Sequence, residues 1–224
     1  LKTVCRYLLH SGKAENPLVA YLMVTNRCNL RCKMCTYWKG IYESEMSTEQ
    51  VKEVIRKLSD GGIQILSITG GEPLIRDDIC EIMNYAKHTA EIPYVRLQTN
   101  GTLFDEAKLS CAVLSLDDVW VSIDGLGDVH DTIRGRKGTF AKVKKNIEAL
   151  NSMKDENVNL IMNMVVTKYN KHQIDAVKEL AKKWKVRQLF FHKVANVRDE
   201  EYHTKQFSSD AVSYTHLTLP TNRE

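Results

Sequence analysis

Three of the chain's six cysteines fall within one run of eight residues, Cys28-Asn29-Leu30-Arg31-Cys32-Lys33-Met34-Cys35. Thiolates this close in sequence can hold a single inorganic centre, whereas a disulfide framework spreads its cysteines along the chain. A closed structural zinc site needs a fourth ligand, and no Cys or His follows at the short spacing that such sites use. Three thiolates on a four-iron cluster leave one iron without a protein ligand. The triplet therefore predicts an iron–sulfur centre that binds something else at its open position.

The other three cysteines lie far apart in the sequence. Cys80 and Cys111 occupy segments whose pattern is helical, where a buried thiol acts as a small apolar group. We expect a structural role for both. Cys5 stands in the leading segment, and the sequence assigns it no role.

The elements that position the triplet follow a regular alternation. Short β-branched runs alternate with amphipathic helical stretches from Leu18 onward, which is typical of βα units and a parallel sheet. Six units are two short of a closed eight-stranded barrel. We therefore predict an α/β fold, an open partial (β/α)6 barrel with parallel strands and right-handed crossovers. The predicted strands are Leu18–Thr25, Ile63–Thr69, Tyr94–Gln98, Asp118–Ile123, Asn159–Val166 and Arg187–Lys193.

The clearest predicted helix lies between the first two strands. Ser47 is its expected N-cap, Gln50 completes a capping box, and Gly61-Gly62 ends it. Apolar stripes predict further helices near 79–86, 140–150 and 173–184, the last with Trp184 in the core.

The chemically unusual motifs all fall near the ends of predicted strands. The cysteine run follows the first strand, residues 70–73 follow the second, residues 99–101 follow the third, and residues 122–125 close the fourth. Asn163 and His192 lie within or near the ends of the fifth and sixth. Ligands of open α/β sheets bind at the carboxyl ends of the strands, so we expect the ligand site at that edge.

Composition excludes several classes of protein. A chain of 224 residues with 43% hydrophobic and 27% charged side chains is neither disordered nor collagenous. The formal net charge is +4, with lysines scattered along the predicted helices, so charge does not predict a nucleic-acid partner. No apolar run approaches the ~20 residues that span a bilayer, and no signal peptide is apparent. We expect a cytoplasmic protein without a membrane partner.

Cys-x3-Cys-x2-Cys after a first strand, followed by Gly-Gly-Glu-Pro after the second, resembles the radical S-adenosylmethionine (radical SAM) superfamily. The two motifs in this order are highly specific, and the resemblance extends over roughly residues 18–197. It implies that Cys28, Cys32 and Cys35 ligate a [4Fe–4S] cluster whose open iron chelates S-adenosylmethionine. It also implies reductive cleavage of that cofactor to a 5′-deoxyadenosyl radical, which abstracts hydrogen from a substrate. Met34, where the family commonly has an aromatic residue, is a departure that affects a packing detail.

The same resemblance implies a set of cofactor contacts. Glu72 would accept a hydrogen bond from the methionyl ammonium, and Arg134 would pair with the methionyl carboxylate. The full set of implied cofactor-binding residues is Gly70, Gly71, Glu72, Pro73, Asn100, Ser122, Asp124, Arg134 and Asn163. Taken alone, each has a plainer interpretation: an ordinary turn at 70–73, a surface arginine, and turn residues at strand ends. His192 would reach adenine or substrate, or serve a structural purpose.

His130-Asp131-x-x-Arg134-Gly135 resembles radical SAM enzymes that modify peptides and carry a downstream cysteine-rich SPASM domain. The expected substrate is accordingly a peptide or protein side chain, and the expected electron donor is a flavodoxin or ferredoxin. A cofactor-biosynthesis or small-molecule enzyme of the superfamily is the alternative. A pure iron–sulfur electron carrier would normally close its cluster with four protein ligands and leaves residues 70–73 and 122–125 without a purpose. A nucleic-acid substrate is not expected, because no basic patch is evident in the sequence.

The end of the chain differs in character from the βα region. Residues 212–221 resemble the translation of a transposase-based sequencing adapter. We therefore expect a leading segment at 1–17, a radical SAM core domain at 18–197, the start of a truncated C-terminal region at 198–211, and a non-native tail at 212–224. On this hypothesis the intact gene continues into a domain with auxiliary clusters.

Overall fold

The computed structural model describes residues 17–39, 44–153 and 158–193, together with the backbone of the pair 217–218. All six predicted strands are present, with ends that differ from the predictions by at most two residues. They are β1 (Val19–Thr25), β2 (Ile65–Gly70), β3 (Tyr94–Thr99), β4 (Asp118–Ser122), β5 (Asn159–Val166) and β6 (Gln188–Lys193).

The six strands form one parallel sheet in chain order. Among the described strands, β1 and β6 do not pair with each other, so the sheet stays open. This arrangement confirms the predicted partial barrel. A two-residue strand, β7 (Leu217–Thr218), pairs antiparallel with Gln188 and Leu189 of β6.

Helices connect the strands and cover one face of the sheet. They are α1 (Thr48–Asp60), α2 (Ile79–Asn84), α3 (Glu106–Ser115), α4 (Gly127–Arg134), α5 (Thr139–Met153) and α6 (Ile174–Lys183). The predicted capping box of α1 is present, because the Ser47 hydroxyl accepts a bond from Gln50 N–H and the Gln50 side chain accepts one from Ser47 N–H. A π-helical turn, Tyr85–Thr89, continues α2, and short 3₁₀ turns lie at Tyr37–Lys39, Pro73–Ile75 and Lys171–Gln173.

Alternation along the strands creates two chemically different faces. The helix-covered face is apolar and forms the core, which includes Val24, Ile68, Leu97, Val121 and Met162, and Trp184 is buried there as predicted. The residues between them lie on the opposite face, which we call the inner face. It carries polar side chains such as Ser67, Gln98 and Ser122. The inner face therefore leads along the strands to the carboxyl edge of the sheet.

Two sequence-based expectations concern the ends of the chain. Cys5 and most of the segments 1–17 and 198–224 lie outside the described residues, so the predicted boundaries in those regions stay predictions. None of the described helices has the length and apolar character needed to cross a membrane.

Candidate active site

A cavity of about 200 Å³ lies at the carboxyl edge of the sheet, beside the loop that holds the cysteine triplet. We call residues 28–35 the cysteine loop. All three clustered cysteines line this cavity, and none is in a disulfide. Five further predicted site residues line it as well: Gly70, Gly71, Asn100, Ser122 and Arg134. The fold thus gathers residues from the ends of four strands and from α4.

The cysteine loop has no regular secondary structure, and its shape depends on contacts with neighbouring elements. Its backbone is bound to the end of α4, because Lys33 N–H donates to the Ile133 carbonyl at 2.8 Å. The Asn29 side chain donates to Thr102 Oγ1 at 2.8 Å and accepts from Asn100 Nδ2 at 2.9 Å. Asn100 therefore lines the cavity and also anchors the loop to the segment after β3.

Glycine is required where β1 and β2 end. A Cβ atom on Gly70 would stand 2.2 Å from the Thr25 carbonyl oxygen, and one on Gly71 would stand 2.3 Å from that of Arg27. Gly70 also has φ +148°, a conformation that other residues avoid. The backbone of 70–71 is thus packed against the end of β1 and the residues just before the cysteine loop, and Glu72 N–H donates to the Arg27 carbonyl at 2.8 Å.

The structure places Glu72 behind the cavity wall. Its side chain is completely buried, and both carboxylate oxygens are occupied by protein donors: Thr99 Oγ1 at 2.6 Å, Asn100 N–H at 2.7 Å and Leu74 N–H at 3.1 Å. Burial raises the pKa of this carboxyl group, and the three hydrogen bonds oppose that effect. Glu72 thus holds the segment after β3 from behind, and buried Pro73 likewise lies outside the lining. The contact of Glu72 with a methionyl ammonium stays a prediction.

Arg134 connects the cavity to a buried carboxylate. Its Nη2 atom lies 2.6 Å from Asp124 Oδ2, and its Nη1 atom lies 3.8 Å from Cys32 Sγ. Burial lowers the pKa of Arg134, but Asp124 and Cys32 more than reverse this, so the guanidinium stays charged. Its Nε–H is buried without a hydrogen-bond partner among the described residues. Arg134 thus lines the cavity as a cation that Asp124 holds in place, and its Nε–H is a spare hydrogen-bond donor.

Every named residue of the His130–Gly135 motif has a defined contact. The His130 ring accepts a hydrogen bond from Asp124 N–H at 3.1 Å, and Asp131 accepts from Gly138 N–H and Phe140 N–H at the start of α5. A Cβ atom on Gly135 would stand 2.2 Å from the Arg31 carbonyl oxygen. The motif therefore holds Asp124, α5 and the cysteine loop together through one short helix.

Two other predicted site residues lie outside the cavity lining. Asp124 is completely buried, with Oδ1 accepting from Val165 N–H at 2.8 Å and Oδ2 facing Arg134. Asn163 pairs with His192 at 3.2 Å on the inner face. Asp124 therefore reaches the cavity lining through Arg134. Direct contacts of Asp124 and Asn163 with a cofactor stay predictions.

Sequence reasoning missed several residues of the cavity. The additional lining residues are Leu30, Tyr37, Trp38, Thr69, Gln98 and Thr99, and Met34 also lines it. Gln98 and Thr69 could have been found from strand alternation, since they share the inner face with Ser122. Trp38 donates to the Cys32 carbonyl at 3.3 Å, a contact that no sequence pattern indicates.

Two of the thiols in this cavity are protonated more readily than usual when no metal is bound. Burial raises the pKa of Cys28 to about 11, and burial also raises that of Cys32, although Arg134 opposes it. Metal coordination removes such protons outright.

Comparison with known proteins assigns the family. Residues 22–181 match the family model described as the Radical SAM superfamily. The chain belongs to the radical SAM superfamily. Its cofactors are accordingly a [4Fe–4S] cluster and S-adenosylmethionine.

Individual relatives cover most of this chain. Fe-coproporphyrin III synthase of Methanosarcina barkeri is 32% identical over 194 residues, which is 85% of this chain and 47% of that protein. Sporulation killing factor maturation protein SkfB of Bacillus subtilis is 31% identical over 173 residues, 75% of this chain and 41% of that protein. The crystal structure of Streptococcus suis SuiB bound to S-adenosylmethionine has a TM-score of 0.74 at 20% identity and shares the fold, covering 88% of this chain and 45% of that one. The chain spans about half the length of these relatives.

The residues present fit the two cofactors. Among the described residues, no three His, Cys, Asp or Glu side chains are close enough to share one metal ion. A single tetrahedral ion requires thiolates about 4 Å apart, whereas a cubane binds each thiolate on a different iron. Three thiols spread around one cavity suit the latter. The spare N–H of Arg134 and the absence of side chains at Gly70 and Gly71 suit an amino-acid moiety beside them.

We predict that Gly70→Ala destabilises the protein far more than Gly138→Ala. Both positions have positive φ, so both substitutions incur backbone strain of about 1–3 kcal/mol. A Cβ at 138 meets nothing within 4 Å, whereas one at 70 collides with the Thr25 carbonyl. We expect an additional loss of about 1–3 kcal/mol for Gly70→Ala in urea unfolding. Equal losses of unfolding free energy in the two variants would contradict the close approach of Gly70 to the Thr25 carbonyl.

We predict a dependence of stability on pH that arises from His130. Burial, with a further contribution from Arg134, lowers the pKa of His130 to about 3. As pH falls below the unfolded value of about 6.5, the unfolded chain gains a proton that the folded chain does not, so stability decreases by up to about 1.4 kcal/mol per pH unit. In His130→Asn, the amide oxygen can accept the hydrogen bond that the ring accepts in the wild type. The contribution of His130 to the decrease in unfolding free energy between about pH 7 and about pH 5 should then disappear. The exposed His88→Asn control should retain it.

Proposed function

We propose that this chain carries the catalytic core of a radical SAM enzyme that abstracts hydrogen from a peptide or protein side chain. The observation that carries the proposal is the convergence of three thiols, two tightly packed glycines and a buried guanidinium around one cavity. When bound, the reduced [4Fe–4S] cluster supplies one electron that cleaves S-adenosylmethionine to methionine and a 5′-deoxyadenosyl radical, which takes hydrogen from the substrate.

The chain's own residues bind and orient in this proposal. Cys28, Cys32 and Cys35 ligate the cluster, and Arg134 donates its spare N–H to the methionyl carboxylate. Asn100 and Ser122 supply polar contacts at the strand ends. Glu72 and Asp124 act as positioning residues, because each holds a cavity-lining segment or side chain from behind.

Apolar side chains form part of the cavity lining. Leu30 is 1% exposed, and Met34 and Trp38 are half-buried. Exclusion of water matters for radical chemistry because it prevents side reactions of a reactive intermediate.

The inner face offers a substrate surface adjoining the cavity. Gln98 lines the cavity, and Arg96 lies two residues earlier on the same side of β3. The Arg96 guanidinium is 5.5 Å from the Tyr21 ring and 4.8 Å from the Trp120 ring, and Trp120 stacks on Phe190 at 5.0 Å. A row of aromatic rings with a cation suits a large amphipathic substrate such as a peptide segment.

Two relatives support the peptide assignment. SkfB is named as a maturation protein for the sporulation killing factor, and SuiB has been crystallised with its precursor peptide SuiA. The electron would come from a flavodoxin or ferredoxin, and the cytoplasm would keep the three thiols reduced.

A cofactor-biosynthesis enzyme is the second candidate. Fe-coproporphyrin III synthase, whose name describes a tetrapyrrole product, supports it. The neighbouring genes discriminate between the two, because a short precursor-peptide gene or a sulfatase gene beside this one favours the peptide substrate.

We predict that anaerobic reconstitution with iron and sulfide yields a brown protein with one four-iron cluster. Replacing Cys28, Cys32 and Cys35 together by Ala should abolish the cluster absorbance, since these thiols line the cavity. The matched control replaces Cys80 and Cys111, which pack against the core, and should retain it. Loss of absorbance only in the control would overturn the ligand assignment.

We predict that the reduced protein converts S-adenosylmethionine to 5′-deoxyadenosine and methionine in equal amounts, as measured by chromatography. The double variant Arg134→Gln/Asp124→Asn removes a charge pair without leaving one buried charge unpaired. Its affinity for S-adenosylmethionine should fall about tenfold or more, because a charge-assisted hydrogen bond contributes about 1.5–3 kcal/mol.

The control variant for cofactor affinity is Arg187→Gln. Arg187 lies just before β6, where its side chain contacts Asn159 at the amino end of β5, far along the strands from the cavity. Unchanged affinity in the double variant would remove Arg134 from the cofactor site.

A further inference from the structure

A second surface of the cysteine loop is strongly basic. Arg31 and Lys33 belong to the loop itself, and Arg136, Lys137 and Lys142 line a small cavity between the loop and the junction of α4 with α5. The Arg31 guanidinium lies 5.8 Å over the Trp38 ring. We call these five residues the basic face. Lys33 is half-buried, and the other four are exposed. The scattered lysines of the sequence thus include a cluster that only the fold assembles.

Backbone contacts join the two segments into one surface. Lys33 N–H donates to the Ile133 carbonyl at 2.8 Å, and Arg136 Nη1 donates to the Asn29 carbonyl at 3.5 Å. Between them lies a small cavity of about 130 Å³, lined in part by Asn29, Arg136, Lys137 and Lys142. The charges therefore keep a fixed relation to the cysteine loop.

These cations have no carboxylate partner within the part of the chain that the structure describes. Asp131 lies in the same junction, but both its oxygens accept backbone N–H groups of Gly138 and Phe140. Some lysines elsewhere differ, because Lys52, Lys57, Lys178 and Lys182 each pair with a Glu or Asp on their own helix. Within the described residues, the positive charge of the basic face is thus not paired with a carboxylate.

The basic face lies one side-chain layer from the cofactor cavity. Leu30 lines both the small cavity of the basic face and the cavity that contains Cys28, Cys32 and Cys35. A protein docked on the basic face would be separated from the thiols by the cysteine loop alone.

We propose that the basic face is the docking surface for an acidic protein that carries one electron on a reduced flavin or iron–sulfur centre. The inference rests on the proposed function, which consumes one electron for each cofactor cleaved. In the transfer, the donor is oxidised by one electron and the bound cluster goes from the 2+ to the 1+ state, with no bond made or broken. Complementary charge raises the rate at which such a partner associates.

The experiment compares two reductants on the reconstituted protein. One is an acidic flavodoxin in its reduced form, and the other is photoreduced 5-deazariboflavin, a small uncharged reductant that needs no docking surface. The variants are Lys137→Glu and Lys142→Glu. The matched control is Lys183→Glu, which makes the same charge change on exposed α6. The measured quantities are the rate of cluster reduction and its dependence on salt.

We expect reduction by flavodoxin to slow about tenfold at low salt in the two variants, and the difference to shrink as salt increases. Reduction by deazariboflavin should be unchanged in all variants, and Lys183→Glu should resemble the wild type with both reductants. If deazariboflavin also fails to support cofactor cleavage in the wild type, the proposed function itself is wrong, which is distinguishable from a failure of docking.

Three results would overturn the docking proposal. Equal flavodoxin kinetics in the wild type and both variants would show that the basic face is not used. An equal slowing with both reductants would place the effect at the cluster site. Salt-sensitive retention of RNA that the two variants abolish, with flavodoxin kinetics unchanged, would assign the face to nucleic acid instead.

Discussion

The buried ion pair between Arg134 and Asp124 is the interaction on which the site depends. Asp124 follows β4, Arg134 ends α4, and the same guanidinium reaches Cys32 at 3.8 Å. The residue after β4, the end of α4 and the cysteine loop therefore share one charge network. Removing either partner leaves an uncompensated buried charge, which typically costs about 3–5 kcal/mol. The network thus fixes both the stability of the carboxyl edge and the position of a cavity-lining cation.

Close backbone packing provides the second constraint. Gly71 lies against the Arg27 carbonyl just before the cysteine loop, and Gly135 lies against the Arg31 carbonyl within it, each within a distance that excludes a Cβ atom. A segment held between two glycines has little freedom to move its carbonyls. The Glu72 carboxylate extends this rigidity by binding Thr99 and the backbone of Asn100 behind the cavity. Rigid placement of ligand-binding groups is what reactive sites require, because small displacements reduce rates strongly.

The strands and the cavity's main elements could be predicted from sequence, and the direction of several side chains could not. Period-two alternation and turn signals determine strands locally, so all six were found. Whether Glu72 or Asp124 faces the cavity or the interior depends on tertiary contacts with Thr99 and Arg134, which no local pattern encodes. Helix α4 was missed because it is short and lies between glycines 125 and 135. The basic face was missed because its residues come from two segments about a hundred positions apart.

The parallel sheet separates three requirements of the proposed chemistry onto different surfaces. Cofactor ligands occupy the cavity at the strand ends, the inner face extends from it along β3 and β4, and the basic face covers the loop outside it. A radical formed in the cavity must meet substrate but avoid solvent and the electron donor. Leu30, which is almost fully buried, lines both the cavity and the small cavity of the basic face, and so lies between these two surfaces. Because the cysteine loop follows β1 directly, the short connection that we propose as the cluster ligand also carries part of the surface that we propose for the electron donor.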